Sequence, residues 1–199
     1  MNGFFAFDET DPVAGDRAGQ GRDQRFMFHL TITADDVDRF LSTPAHQAGA
    51  AGWIEAPALG GRLPVERGWF NLFVPGDAPR SRRMDYRLFF ADGEGHPLTL
   101  SGHKEVRDDS VLDIWSDTST LYFRLLAGHI DANAQPTAQV RGAGVVHIRV
   151  EDFAHQLTTL RTTGPGGAEA LFDFGRFFLG QLWDVYGRHV GGTLVGTRS

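Results

Sequence analysis

Apolar and polar side chains alternate with a period of two along much of this chain. Phe26, Phe28, Leu30 and Ile32 alternate with Met27, His29 and Thr31; Met84, Tyr86, Leu88 and Phe90 share one phase, and so do Phe70, Leu72 and Val74. Further on, Leu121, Phe123 and Leu125 alternate with Thr120, Tyr122 and Arg124, and Val146, Ile148 and Val150 with Val145, His147 and Arg149. Successive side chains of a strand point to opposite faces, so this pattern predicts antiparallel sheet with one apolar face. Turn chemistry agrees. Pro75, Gly76 and Asp77 end one strand, and Asp92-Gly93-Glu94-Gly95 predicts a hairpin because Gly and Asp accept the positive φ of tight turns. Residues 8–24, rich in Asp, Gly and Arg, read as an exposed loop.

A different period appears near the end. Leu171, Phe174, Phe178, Leu182 and Val185 recur at helical spacing, with Glu169, Asp173, Arg176 and Asp184 as a narrow polar stripe. The apolar arc is wider than one sheet contact needs, so it either covers a barrel end or meets another protein. Residues 29–41 and 146–157 each read as a strand entering a short helix, with Asp35 or Glu151 near the helix start. The predicted fold is mainly β: an antiparallel barrel or curved sandwich, calycin-like, with a C-terminal amphipathic helix and short connecting helices. Residues 1–189 form one β-rich domain, and 190–199 a flexible tail.

Composition narrows the function classes. With 199 residues, 41% of them hydrophobic, the chain suffices for one full core. A net charge of −6 without a basic stripe argues against nucleic acid as a partner. The absence of cysteine removes disulfides, zinc-thiolate sites and thiol nucleophiles. The opening residues lack a basic segment and meet Asp8 and Glu9 at once, unlike a signal peptide, and no apolar run approaches the ~20 residues that span a bilayer. The expectation is a cytoplasmic protein without a transmembrane segment.

Of the 19 basic side chains, only Lys104 is a lysine. Strand phase puts it on the apolar face with Leu98, Leu100, Gly102 and Val106, opposite Thr99, Ser101, His103 and Glu105. A buried ammonium needs a partner or must lose its proton, and lysine shifts its pKa more readily than arginine. If the phase of Phe70 carries back through Gly68, Glu66 faces inward; the phase of Leu121 extends to Asp117 and Trp115. Glu66 and Asp117 are thus candidate counterions, and Phe70, Tyr86 and Trp115 candidate aromatic lining. The set is compatible with a structural ion pair, with a ligand site in which Lys104 and a carboxylate orient a polar group, or with catalysis by a lysine of depressed pKa.

Other motifs are weaker. Asp108, Asp109, Asp113 and Asp117 are hard oxygen ligands by type but lack the spacing of a calcium loop, and read as a solvated turn. The histidines form no HExxH, and His103 and His147 fall on polar strand faces. Residues 164–170 lack the third glycine of a dinucleotide fingerprint, and no Gly-x-Ser-x-Gly elbow is present. No metal and no cofactor is expected.

The runs 59–73 (Leu-Gly-Gly-Arg-Leu-Pro-Val-Glu-Arg-Gly-Trp-Phe-Asn-Leu-Phe), 84–90, 97–104 and 115–122 resemble the C-terminal accessory region of long bacterial GMC-type, cholesterol-oxidase-like oxidoreductases. The resemblance covers residues 1 to about 187, and there is no flavin-binding motif to carry the oxidoreductase activity across. It implies association with lipid or sterol oxidation, with a flavoprotein as a possible partner. The leading functional expectation is an accessory or small hydrophobic-ligand-binding barrel. The alternatives are an isomerase or cyclase using Lys104 with a carboxylate, and a protein-docking module presenting the last helix.

Overall fold

The computed structural model describes residues 1–76, 81–106, 119–148, 159–163 and 166–191, with backbone alone for 179 and 181–191. Strands β1 (Asn2–Phe7), β2 (Arg25–Thr33), β3 (Gln47–Ala56), β4 (Gly61–Val65), β5 (Arg67–Pro75), β6 (Arg82–Ala91), β7 (Pro97–Val106), β8 (Thr120–Ala127) and β9 (Val140–His147) form one sheet. Every pairing is antiparallel. Consecutive strands are neighbours except β4 and β5, which both pair with β3, and β9 pairs back onto β1, so the sheet closes into a barrel. Strand β3 carries β5 along Gln47–Gly49 and β4 along Gly52–Ala56, so β4 and β5 together make one stave of an eight-stave meander. The predicted barrel is the observed fold.

The alternating residues line its interior. Phe5, Phe26, Ile54, Leu88, Leu100, Leu121, Phe123 and Leu125 are fully buried, and Phe26 stacks on Phe123 at 4.6 Å between ring centroids. At one end a second cluster forms from Phe70, Leu72, Phe73, Met84 and Val106. Two helices cover it. Helix α2 (Val37–Ser42), capped by the Asp36 carboxylate accepting from the Arg39 N–H at 2.9 Å, buries Phe40. Helix α3 (Gly167–Gly191) adds Phe174, Phe177 and Phe178, with Phe178 5.3 Å from Phe73 and Phe177 4.7 Å from His46. The helix runs to Gly191, past the expected start of the tail.

The largest departure is at residues 8–24, expected as a loop. Pro12–Gly21 is a helix, α1, started by the Asp11 carboxylate, which accepts from the Ala14 N–H at 2.8 Å, with Pro12 in the first turn. It has no apolar stripe because glycines form its contact face: a Cβ on Gly15 would strike the Ala143 carbonyl, and one on Gly19 the Phe5 carbonyl. The helix therefore lies directly on the backbone of β1 and β9.

The outer face also departs from simple alternation. Arg87, Phe89, Thr99 and Leu126 point outward yet are buried. The segment after β8 covers this face: Thr99 donates to the Gly128 carbonyl at 2.7 Å and accepts from the Ile130 N–H at 2.8 Å. Arg87 donates to the Ile130 carbonyl at 2.7 Å and to Ser101 and Gln135. Burial lowers the Arg87 pKa, and Asp131 and Asp85 oppose that shift.

Candidate functional site

The inward phase of β7 holds. Leu98, Leu100, Gly102, Lys104 and Val106 all face the barrel, and Lys104 is 5% exposed. Met84 lies opposite it on β6, and Tyr86, the next inward residue of β6, pairs with Gly102. The Lys104 ammonium nitrogen sits 5.8 Å from the Tyr86 ring centroid. On its other side Tyr86 packs against Phe70 at 4.8 Å, with Phe28 at 6.2 Å. Three of the sequence-predicted residues, Lys104, Phe70 and Tyr86, thus meet at one level of the barrel.

Glu66 does not join them. The expectation required an unbroken phase from Phe70, but Val65 and Gly68 both face inward, Gly68 against Leu88, while Glu66 and Arg67 between them are exposed. That doubled outward step is a bulge where β4 passes into β5. The Glu66 carboxylate lies outside the barrel, 3.9 Å from the His129 imidazole, and its N–H donates to the Phe89 carbonyl. Asp117 and Trp115 lie outside the described residues, as do the other carboxylates of the acidic turn and Glu151.

Burial sets the electrostatics here. It lowers the Lys104 pKa from 10.5 to about 8 and pushes the Tyr86 phenol far above its ordinary value, both by desolvating the charged form. Near neutral pH the lysine is mainly charged and the phenol is a neutral donor. Tyr86 keeps accessible area despite its depth because that area faces a cavity. Among the described residues its hydroxyl has no hydrogen-bond partner.

The cavity measures about 1270 Å³. Its deep end is Tyr86 and Lys104, its wall is Phe28, Leu30 and Ile32, and its rim includes α2 and the first turns of α3. The opening follows from the strand pairing. The Met1 amine donates to the Phe28 carbonyl at 3.0 Å and the Met1 carbonyl accepts from the Phe28 N–H, but beyond Phe28 β2 is paired only with β3 among the described residues. Thr159–Thr163 and Ile148 face the resulting seam.

No family model, curated protein or solved structure matches this chain. The function is therefore argued from the site itself. Among the described residues no group of three His, Cys, Asp or Glu side chains is placed to hold a metal ion, and no helix is long and apolar enough to cross a membrane. His103 lies on the outer face, its pKa lowered mainly by burial, beside Tyr122 and 3.9 Å from Glu105.

Sequence reasoning missed Arg87, whose signal was faint: an outward position next to Phe89, two apolar residues in succession on a strand that otherwise alternates. It also missed the seam, which depends on where β1 starts pairing with β2.

Proposed function

We propose that the barrel binds a small hydrophobic molecule carrying one polar group, held with its apolar body along Phe28 and Leu30 and its polar end at Tyr86 and Lys104. The observation that supports this reading most is the placement of Tyr86 and Lys104 at the deep end of an accessible cavity, beside the apolar side chains of Phe28 and Leu30. Ligand sites set a few converging polar groups against apolar surface in this way. A lysine kept only for packing gains nothing from facing a cavity. The link to lipid or sterol oxidation, and to a flavoprotein partner, is supported only by the resemblance of residues 59–73, 84–90, 97–104 and 115–122 to the oxidoreductase accessory region.

Native mass spectrometry of protein purified from its own host tests the reading directly. A co-purifying apolar molecule, released on denaturation and lost in Lys104→Met although that variant melts no lower than wild type, is the expected result. An empty barrel that also fails to take up a neutral hydrophobic dye overturns it.

A second reading is acid–base catalysis. What favours it is the Lys104 pKa of about 8 beside a protonated phenol. Glu66 does not supply the expected carboxylate partner and Asp117 lies outside the described residues, so Tyr86 is the polar group that the described residues bring to Lys104 for such chemistry. The sign of it is turnover of a bound carbonyl compound that rises with an apparent pKa near 8.

The docking reading loses part of its surface. Phe174, Phe177 and Phe178 pack on the barrel end, leaving Phe172, 68% exposed, and Leu171 as the apolar residues on the outside of the described part of α3.

A further inference from the structure

We infer that the cavity selects uncharged, acceptor-bearing apolar molecules, such as long-chain ketones, over carboxylates, and that the Tyr86 hydroxyl is the group that recognises them. This rests on the ligand-binding reading above and adds the chemical class.

The first observation is the hydroxyl. A buried phenol almost always finds a hydrogen-bond partner, because leaving its O–H unmatched costs the desolvation of the group. Tyr86 lies deep in the barrel between Phe70 and Phe28, its hydroxyl has no partner among the described residues, and it borders the cavity. The hydroxyl is thus open to whatever occupies the cavity, water or ligand. Because the phenol stays protonated over the working pH range, it offers one neutral donor, and a neutral acceptor satisfies it without burying another charge. The Lys104 ammonium above the ring draws electron density from the phenol and strengthens it as a donor to a carbonyl oxygen.

The second observation is the charge around that donor. Asp35, Asp36, Asp38, Glu169 and Asp173 line the cavity, against the cations Lys104, Arg161 and the Met1 amine among the described residues. Fields from one sign of charge are focused in clefts with low-dielectric walls. An anionic amphiphile entering past these carboxylates meets repulsion that a ketone or alcohol does not. The apolar wall serves either ligand equally and the Lys104 ammonium already has an interaction of its own, so the rim and the neutral donor decide between them.

The experiment is displacement of the neutral dye Nile red at pH 7 by a long-chain methyl ketone, the matching alcohol and the matching carboxylate, for wild type, Tyr86→Phe and Asp35→Asn/Asp173→Asn. The ketone is expected to bind about tenfold more tightly than the carboxylate. Tyr86→Phe, which removes one oxygen and keeps the ring, is expected to lower ketone affinity about tenfold at unchanged melting temperature and to leave the carboxylate unchanged. The double rim variant is expected to narrow the ketone-to-carboxylate ratio. A carboxylate bound as tightly as the ketone, or a Tyr86→Phe protein that holds the ketone like wild type, overturns the inference while the ligand-binding reading stands. Failure of every compound to displace the dye, or of the dye to bind, sinks that reading and the inference with it.

Discussion

The two ends of the barrel interior are built from the same alternating strands and differ in what fills them. Around Leu100 the lumen is closed by Phe5, Phe26, Phe123 and Leu125, each at 0–1% exposure, with Phe26 in ring contact with both Phe5 and Phe123. Two inward positions further along β7 the same face presents Lys104, the neighbouring strand presents Tyr86, and the space opens into a cavity. Alternation therefore specifies a wall. Whether that wall encloses a core or a chamber depends on what fills each level, and here the chamber opens on the side where β2 loses its second neighbour, while Phe70 and Phe73 stay packed on the other.

Truncating an equivalent ring at each end is the strongest way to break this contrast. Phe123→Ala in the packed end is expected to cost about 3–5 kcal/mol, since a full cavity is left among rigid neighbours. Phe28→Ala, which widens an existing chamber, is expected to cost at least about 1 kcal/mol less. Urea unfolding of both variants checks this, and equal losses would mean that the two ends are packed alike.

Next in size is the response of Lys104 to pH. The unfolded chain keeps the proton up to about 10.5 and the folded chain gives it up near 8, so between these values the unfolded state binds more protons and stability rises with pH. Below pH 8 the folded protein carries the full cost of the buried charge, at most about 3 kcal/mol. Lys104→Met is therefore expected to be more stable than wild type at pH 7, with the gap shrinking toward pH 10. Measurements stop there because the unfolded phenol of Tyr86 then begins to ionise while the folded one does not, which reverses the slope. A gap that does not move with pH would show that Lys104 titrates as it does in the unfolded chain.

The smallest effect is expected outside the barrel. Phe172→Ser on the open side of α3 should change the melting free energy by less than about 0.5 kcal/mol, since 68% of the ring is already in water. A larger loss would place a partner, or a second copy of the chain, on that surface.

These residues also show what a sequence can and cannot disclose. The inward phase of β7, the inward placement of Phe70 and Tyr86, and the cover of one barrel end by the last helix were all legible, because each follows from local periodicity. Glu66 was misplaced because a bulge reverses phase without any Gly or Pro at the bulged pair to announce it. Helix α1 was missed for the opposite reason: its packing face is glycine, so hydrophobic periodicity had nothing to report. The covered Arg87 needed the path of the segment after β8, which no pattern within β6 encodes.

Helix α1 has a further consequence for how the chain reaches its fold. Every barrel pairing but β3–β5, which skips only the short β4, and β1–β9 joins strands consecutive along the chain and can zip from a local turn; the β1–β9 ladder, with Asn2 opposite His147, must wait for nearly all the others. Such distant contacts are slow to form because the loop they close is long. Lying on both strands through Gly15 and Gly19, α1 acts as a latch over that last junction. Its release exposes the one ladder that cannot re-form from a neighbouring turn. Amide protons of the β1–β9 ladder are thus the place where hydrogen exchange should report the opening of the barrel before its unfolding.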